Sequence, residues 1–540
     1  MIVDLDHEGS LDPVRVGWKS ATLARARRSG LPVLPGFVVP ASTSGRHMEI
    51  GAFALESRGS GGARLAVAEV PAPGSDDLVL AGRRLSHSLV ARSSTMLESK
   101  GQWAGAFTSY VGIPPEQLPK AIVGCWASAF SVDSLARQRA EGVRPGSIGM
   151  AVLVQPALRP ETGGGADIEP DGSIVVRGVK GPPGPLLQGW VSGFDARLGP
   201  HGWVGDELIE LAGTRALDEI RESLLRANGL LGVNRCEWAT DDGLWLLQLG
   251  KINDVEPSPA TPAGITQEMI PTIRAVMAAP GPLGEELVLP WAIAGDSTLT
   301  EPVRGGVADL RRARELSGRL TSAVWGLPPD QAMSAAQDLL VRLRGPEPAP
   351  ALKTIRDLRL PDHGLAAELI GHIDGLRVAM ADRGAVANPM DAWRMSTGEI
   401  EAVLAGNRRP PPSRVGTGSW EPLVAAVVLA YGARHSGVPA SGGIGAGLRS
   451  DIPHLGVAGG LPHRRVVTAP EAVPALSQLL WDSAGLVTRV GSPAAHVFES
   501  ARSLGVPAVS GVTLGEGDEQ IVAVDGYAGV VAVMSLSPRP

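Results

Sequence analysis

Cysteine is almost missing from this chain: Cys125 and Cys236 are the only two in 540 residues. Two thiols so far apart exclude a disulfide-stapled scaffold and offer no metal-ligand spacing; core positions in a reducing compartment suit them. Aromatic residues are scarce as well, at 4%, and none interleave with a basic stripe. Together with a formal net charge of −7, this leaves no footprint for a nucleic-acid partner. Arg25, Arg27 and Arg28 do cluster, but a solvated helix face accounts for them. No run approaches the roughly 20 apolar residues that a membrane helix needs. The N-terminal MIVDLDHEGS lacks the basic-then-apolar order of a signal peptide. The expectation is a soluble, cytoplasmic protein with neither nucleic acid nor membrane as a partner.

What is present is an ordinary globular composition, 44% hydrophobic and 19% charged, long enough for two to four domains. Proline marks where they divide. NDVEPSPATPAGI at 253–265 and NRRPPPSRVGTGSW at 407–420 read as breaks, the second as a semi-rigid linker. Between them, residues 266–406 carry a mostly helical pattern, with Leu365, Leu369, Ile373, Leu376 and Met380 marking an amphipathic helix that ends near Gly384. Trp291, Trp325 and Trp393 in this region fit either an apolar pocket or, more plainly, helix core. The boundaries expected are 1–254, 266–406 and 421–540.

The most informative stretch is GSPAAHVFESARSLGVPAVSG, Gly491 to Gly511. An apolar run at 484–488 reads as a buried strand leading into it. Val497, Ala501 and Leu504 then share one helical face, Gly505 stops the helix, and Val506 to Val509 resumes extended structure. His496 thus stands where a loop becomes a helix, and the free N–H groups there favour an anion arriving at the imidazole. On spacing alone a lone histidine is more often structural.

The segment resembles the swivelling phosphohistidine domain of the phosphoenolpyruvate-utilising dikinases and phosphotransferases: phosphoenolpyruvate synthase, pyruvate phosphate dikinase and the rifampin phosphotransferases. Their pattern runs GG-x-TSH-AAIVAR-x-LG-IPAV. Gly491, His496, Ala501, Arg502, Leu504, Gly505, Pro507, Ala508 and Val509 match it without a gap, while Ala494 and Ala495 replace the hydroxyl pair. Gly437 to Gly445, GVPASGGIG, is similar to the opening of that domain, and Ile521 to Val533, turning at Asp525-Gly526, closes it.

The N-terminal half is similar to the family's ATP-binding domain. VGWKSATLARARRSGLPVLPGFVV at 16–39 reads as loop, helix, stop and strand, and it places Lys19 on a nucleotide-phosphate lysine; without the resemblance Lys19 is a surface lysine. LVARSS at 89–94 resembles an AVRSS strand, with Arg92 as the phosphate-binding guanidinium. The following loop keeps Trp103, Ala104 and Gly105 but has Ala106 for glutamine and Thr108 for an acidic residue. WASAF at 126–130 and the strand-like MAVLVQ at 150–155 also look like family segments, whereas the family's SGVAFTRDP turn has become TGGGAD at 162–167. Gly181 to Gly189 is proline-containing where the family has a glycine-rich phosphate loop.

RCEWA at 235–239 and LWLLQLGKI at 244–252, joined by Asp241-Asp-Gly243, form a hairpin pattern. They resemble the DIEWA and LLQARPI strands that hold metal and nucleotide. Glu237 and Gln248 match those ligands; Gly250 replaces an arginine. The bland reading is two polar residues on a hairpin.

The fold expected is therefore mixed α/β and α+β in several domains: an N-terminal ATP-grasp-like domain, a mostly helical middle domain that connects or binds acceptor, and a C-terminal swivelling α/β phosphohistidine domain. The resemblance implies ATP and Mg²⁺ as cofactors. Lys19, Arg92, Glu237 and Gln248 would bind ATP, Glu237 and Gln248 also the metal, and His496 would carry a phosphoryl group. About 44 residues follow His496, too few for a pyruvate-binding barrel. The order of domains is closest to the rifampin phosphotransferases, and the partner implied is a small-molecule acceptor such as a hydroxyl on an antibiotic or natural-product intermediate. A second reading puts the acceptor site on a partner protein. A third makes the chain a degenerate, non-catalytic family member that only binds ATP.

Overall fold

The computed structural model describes residues 2–169, 171–199, 202–251, 262–279, 281–294, 307–386, 389–406, 420–452, 465–515 and 520–536. Most of the break at 253–265 and nearly all of the linker at 407–420 lie outside the described residues.

Among the described residues the strands form three sheets. The first contains β1 (Val3–Asp4), β2 (Phe37–Val39), β3 (Leu89–Ser94), β4 (Ser109–Ile113) and β5 (Ala151–Pro156), in the order β1-β2-β5-β3-β4. Its pairings are all antiparallel. The apolar run Ala151–Val154 is fully buried, as a strand covered on both faces must be.

The second sheet holds β6 (Thr162–Ile168), β7 (Ile174–Lys180), β8 (Phe194–Gly199), β9 (Gly202–Val204), β10 (Arg235–Thr240) and β11 (Leu244–Gly250), ordered β11-β10-β6-β7-β8-β9. The glycine run at 162–167 is thus a central strand rather than a turn, and Gly164 shows why: a Cβ there would sit 1.8 Å from Arg177 O of β7. Asp242 and Gly243 take positive φ in the β10–β11 turn, the conformation that an Asp-Gly hairpin requires.

The Pro13–Arg28 helix packs between these sheets, with Leu23, Ala24 and Ala26 in a core shared with Val38, Leu153, Cys236 and Trp238. Asp12 caps it and Pro13 opens it, but Gly17 interrupts the first turns at φ 77° and ψ 163°. The break lets the backbone lie against the end of β3, where Trp18 N–H donates to Thr95 O and Ser20 N–H to Ser94 Oγ, both at 3.1 Å. A Cβ at residue 17 would fall 2.2 Å from Ser94 O. Gly17→Ala should therefore cost about 3 kcal/mol or more, because strained backbone and a clash add, read as a lower urea midpoint at unchanged slope. Arg25 and Arg27 are more engaged than a solvated face implies: Arg25 donates to Leu11 O, and Arg27 to Val33 O and Asp6.

Helices occupy most of the described residues from 267 to 404. Trp291 and Trp393 lie inside their core and Trp325 packs against it, the places that helix-core residues take. That core does not end with the helical segment. It continues through the Glu421–Tyr431 helix onto one face of the third sheet, taking in Ala446, Ile521, Ala523, Ala532 and Met534.

This third sheet has β12 (Ala433–Ser436), β13 (Val438–Ser441), β14 (Ile444–Asp451), β15 (Val466–Glu471), β16 (Gly485–Val490), β17 (Ala508–Ser510), β18 (Gln520–Asp525) and β19 (Val530–Ser535). Their order is β12-β19-β18-β14-β15-β16-β17-β13. β14 to β17 are parallel, and the His496–Leu504 helix makes the crossover from β16 to β17. Gly505 ends that helix at φ 68°, a left-handed C-terminal cap.

Candidate functional site

Two facts of chain geometry bring charged groups together beside the imidazole. The break at Gly17 fixes where the next helical turn starts, so Lys19 is buried, its Nζ donating to Ser93 O at 3.0 Å and pairing with Glu98 at 2.9 Å. Strand alternation sends Cys236 and Trp238 into the core and leaves Glu237 on the other side of the sheet, directly opposite Gln248 in register.

Arg92 on β3 joins the two sheets. One terminal nitrogen donates to Leu247 O, and the other lies 3.4 Å from both Glu237 Oε2 and Gln248 Oε1. Glu237 Oε1 is buried and has no hydrogen-bond partner. An orphaned carboxylate oxygen beside a side-chain amide oxygen is a fit for Mg²⁺, which takes one or two protein oxygens and completes its shell with water and phosphate. No cluster of three or more His, Cys, Asp or Glu among the described residues could cage a metal alone.

His496 opens its helix facing these groups. Lys19, Arg92, Glu98, Glu237, Gln248 and His496 all line one small cleft of about 80 Å³. Arg92, Glu237 and His496 also border an adjoining cavity of about 610 Å³ that runs past Phe107, Gln155 and Leu158. That volume suits a small-molecule ligand of nucleotide size. Thus the structure brings all five residues singled out in the sequence to one place, from two helices and from three strands of two different sheets.

The loop at 101–106 seats the imidazole. Gly105 has φ 65°, and a Cβ on it would meet His496 Cβ and Cδ2 at 3.1 Å. Arg137, fully buried, holds this loop by donating to Gln102 O and to Ala104 O, and reaches Pro474 O at 3.5 Å. Its partner Asp133 borders the larger cavity; burial raises the Asp133 pKa, and Arg137 offsets only some of that.

The departures from the expected pattern have local reasons. Ala494 is buried against Leu186 and Leu187, an apolar seat. Those leucines belong to a short helix, Gly184–Leu187, so the proline-containing segment at 181–189 forms a wall of the larger cavity instead of an open phosphate loop. Lys251, next to Gly250, is exposed and makes no replacement for the missing arginine. Arg235, directly cross-strand from Gly250, supplies a guanidinium from the opposite strand. It pairs with Asp167 at 2.9 Å, lies 3.5 Å from Glu499, and donates to Ala494 O. Arg235, Glu499 and Glu98 were not singled out in the sequence. The available signal was charge at 235 and 499 where the matching pattern has aspartate and isoleucine.

Comparison with known proteins agrees with the placement of the C-terminal sheet. Residues 461–529 match the family described as PEP-utilising enzyme, mobile domain. A search of curated proteins finds no match. No described helix is long and apolar enough to cross a membrane. The architecture is a multidomain mixture of helix and sheet that ends in this mobile domain, which supports the PEP-utilising family and, with it, a phosphotransferase that works through a phosphohistidine.

Proposed function

We propose that this protein is a dikinase-type phosphotransferase that moves the β-phosphoryl group of ATP to His496 and then to a small-molecule acceptor. The observation that carries this reading is the convergence of His496 with Lys19, Arg92, Glu237 and Gln248 on one cleft that opens into a nucleotide-sized cavity. Phosphoryl transfer asks the protein chiefly for positioning and for charge around the moving group. Lys19 offers a compact cation to phosphate oxygens, and Arg92 a fixed fork of donors. Glu237 and Gln248 would hold a magnesium ion that neutralises charge on the triphosphate.

In net terms a ring nitrogen of His496 forms a bond to Pβ while the Pα–O–Pβ bridge breaks and its electrons leave with AMP. Water takes the γ-phosphoryl group as inorganic phosphate. An acceptor hydroxyl, possessing the proton that the released imidazole requires, then receives the phosphoryl group. The acceptor class we favour is a hydroxyl on an antibiotic or natural-product intermediate.

Positionally labelled ATP tests the scheme. With Mg·ATP alone, intact mass should show a phosphoryl adduct carrying the β-label, together with AMP and γ-labelled inorganic phosphate. Release of ADP with γ-label on an acceptor would refute it, as would ATP binding with no adduct.

A further inference from the structure

The imidazole of His496 has a neighbour that the scheme above leaves unused. Glu499, one turn along the same helix, is buried, and its Oε2 lies 3.6 Å from His496 Nδ1. Neither atom has a hydrogen-bond partner, although both are buried. Among the described residues it is the carboxylate found within 4.0 Å of a ring nitrogen of His496. The remaining gap is about half an ångström beyond a good N–H···O bond, within reach of a small side-chain rotation.

The other charges around the imidazole are already matched. From the first helix and the loop after β3, Lys19 and Glu98 pair with each other, and Lys100 pairs with Glu141. From β3 and β10, Arg92 pairs with Glu237. Glu499 is balanced from across the domain boundary, by Arg235 of β10 at 3.5 Å. Burial would raise the Glu499 pKa, yet Arg235, His496 and Arg502 outweigh it and leave it lowered, so the group is an anion. Gly250 leaves the space open, since even a Cβ there would stay 3.9 Å from Glu499 Oε1.

We infer that Glu499 is a positioning residue for His496, with Arg235 holding Glu499 in place from the facing domain. A carboxylate at Nδ1 selects the tautomer with the proton on Nδ1 and leaves the Nε2 lone pair for the cavity. When Nε2 bonds to phosphorus the ring becomes a cation, and the Nδ1 proton stays between ring and carboxylate, whose charge offsets it. Because the arginine and the glutamate sit on different domains, this arrangement is complete only while the two are docked. The inference rests on the phosphohistidine reading above.

The test uses the full chain with ¹⁵N-labelled histidine and two variants. In the wild type, the His496 signal, assigned by its loss in His496→Ala, should show Nδ1–H and an unprotonated Nε2. Glu499→Leu should slow phosphoenzyme formation about 100-fold, and its ³¹P spectrum should include the Nδ1-phospho isomer that the wild type lacks. Glu499→Gln, whose carbonyl can still accept from Nδ1–H, should keep the tautomer and stay within about 5-fold of wild type. Melting temperature and ATP binding of each variant separate misfolding from mispositioning; should Glu499→Leu not fold, the wild-type tautomer and the glutamine variant still decide. An Nε2–H tautomer in the wild type, or a wild-type rate and isomer in Glu499→Leu, overturns the inference. A wild type that forms no phosphoenzyme sinks the functional reading instead, and the tautomer measurement then stands by itself.

Discussion

His496→Ala should lower phosphoenzyme formation by more than about 10⁴-fold, because no second nucleophile can inherit the role of the one removed. The substitution is mild for the fold. Alanine is a strong helix former, the residue before it is already Ala495, and that residue supplies no side-chain cap. The cavity walls stay in place, since Gly105 and the Arg137 bonds to Gln102 and Ala104 do not depend on the imidazole ring. ATP should therefore still bind. Acid-labile phosphate and intact mass after Mg·ATP read the outcome, and a variant that still acquires acid-labile phosphate would remove His496 from the mechanism.

Lys19→Ala and Arg92→Ala should each cost about 2–4 kcal/mol of transition-state stabilisation, roughly 30- to 1000-fold in turnover. Arg92→Lys should rescue little. One ammonium cannot span Leu247 O, Glu237 and Gln248 in the way that the guanidinium does. Removing Arg92 also strips a cation from a buried carboxylate, so the folding cost must be measured beside the kinetic one. Glu237→Ala should act differently, weakening ATP binding chiefly in its dependence on magnesium. Calorimetric titration with and without the metal separates the effects. Wild-type ATP affinity and turnover in all three alanine variants would leave the cleft without a role in the ATP chemistry.

The elements beside the site were legible because their signals are local. An Asp-Gly between two apolar runs made the β10–β11 hairpin readable, and the register then set Glu237 against Gln248. The helix from His496 to Gly505 showed its period and its stop. The strand at 162–168 was not legible, because Gly163 and Gly164 carry no side-chain period; they let neighbouring chain segments approach closely. Arg235 and Glu499 were hidden for another reason. They lie 264 positions apart, and each looks like a mere surface charge until tertiary structure buries the pair at 3.5 Å. Residue-by-residue matching reports Gly250 as a loss, whereas the structure shows a guanidinium one strand away.

The apolar core that runs from the helical segment onto the third sheet has a mechanical consequence. Under the proposed mechanism, withdrawal of His496 from its cleft opens either of two contacts. The first joins the sheet to the helices through the Glu421–Tyr431 helix, whose Leu423, Val424 and Val427 share one apolar core with Ala446, Ile521 and Ala532. Exposing so much hydrocarbon is costly at about 25 cal/mol per Å². The second joins the sheet to the N-terminal half through Leu186, Leu187 and Ala494, the close approach of Gly101 to Ser503 and of Gly189 to Ala472, and polar contacts from Arg137 and Arg235. Those polar groups can exchange their partners for water. The less apolar seam is the second, so under the proposed mechanism the body that turns is the sheet together with its helices, a lever far heavier than the carrier domain alone.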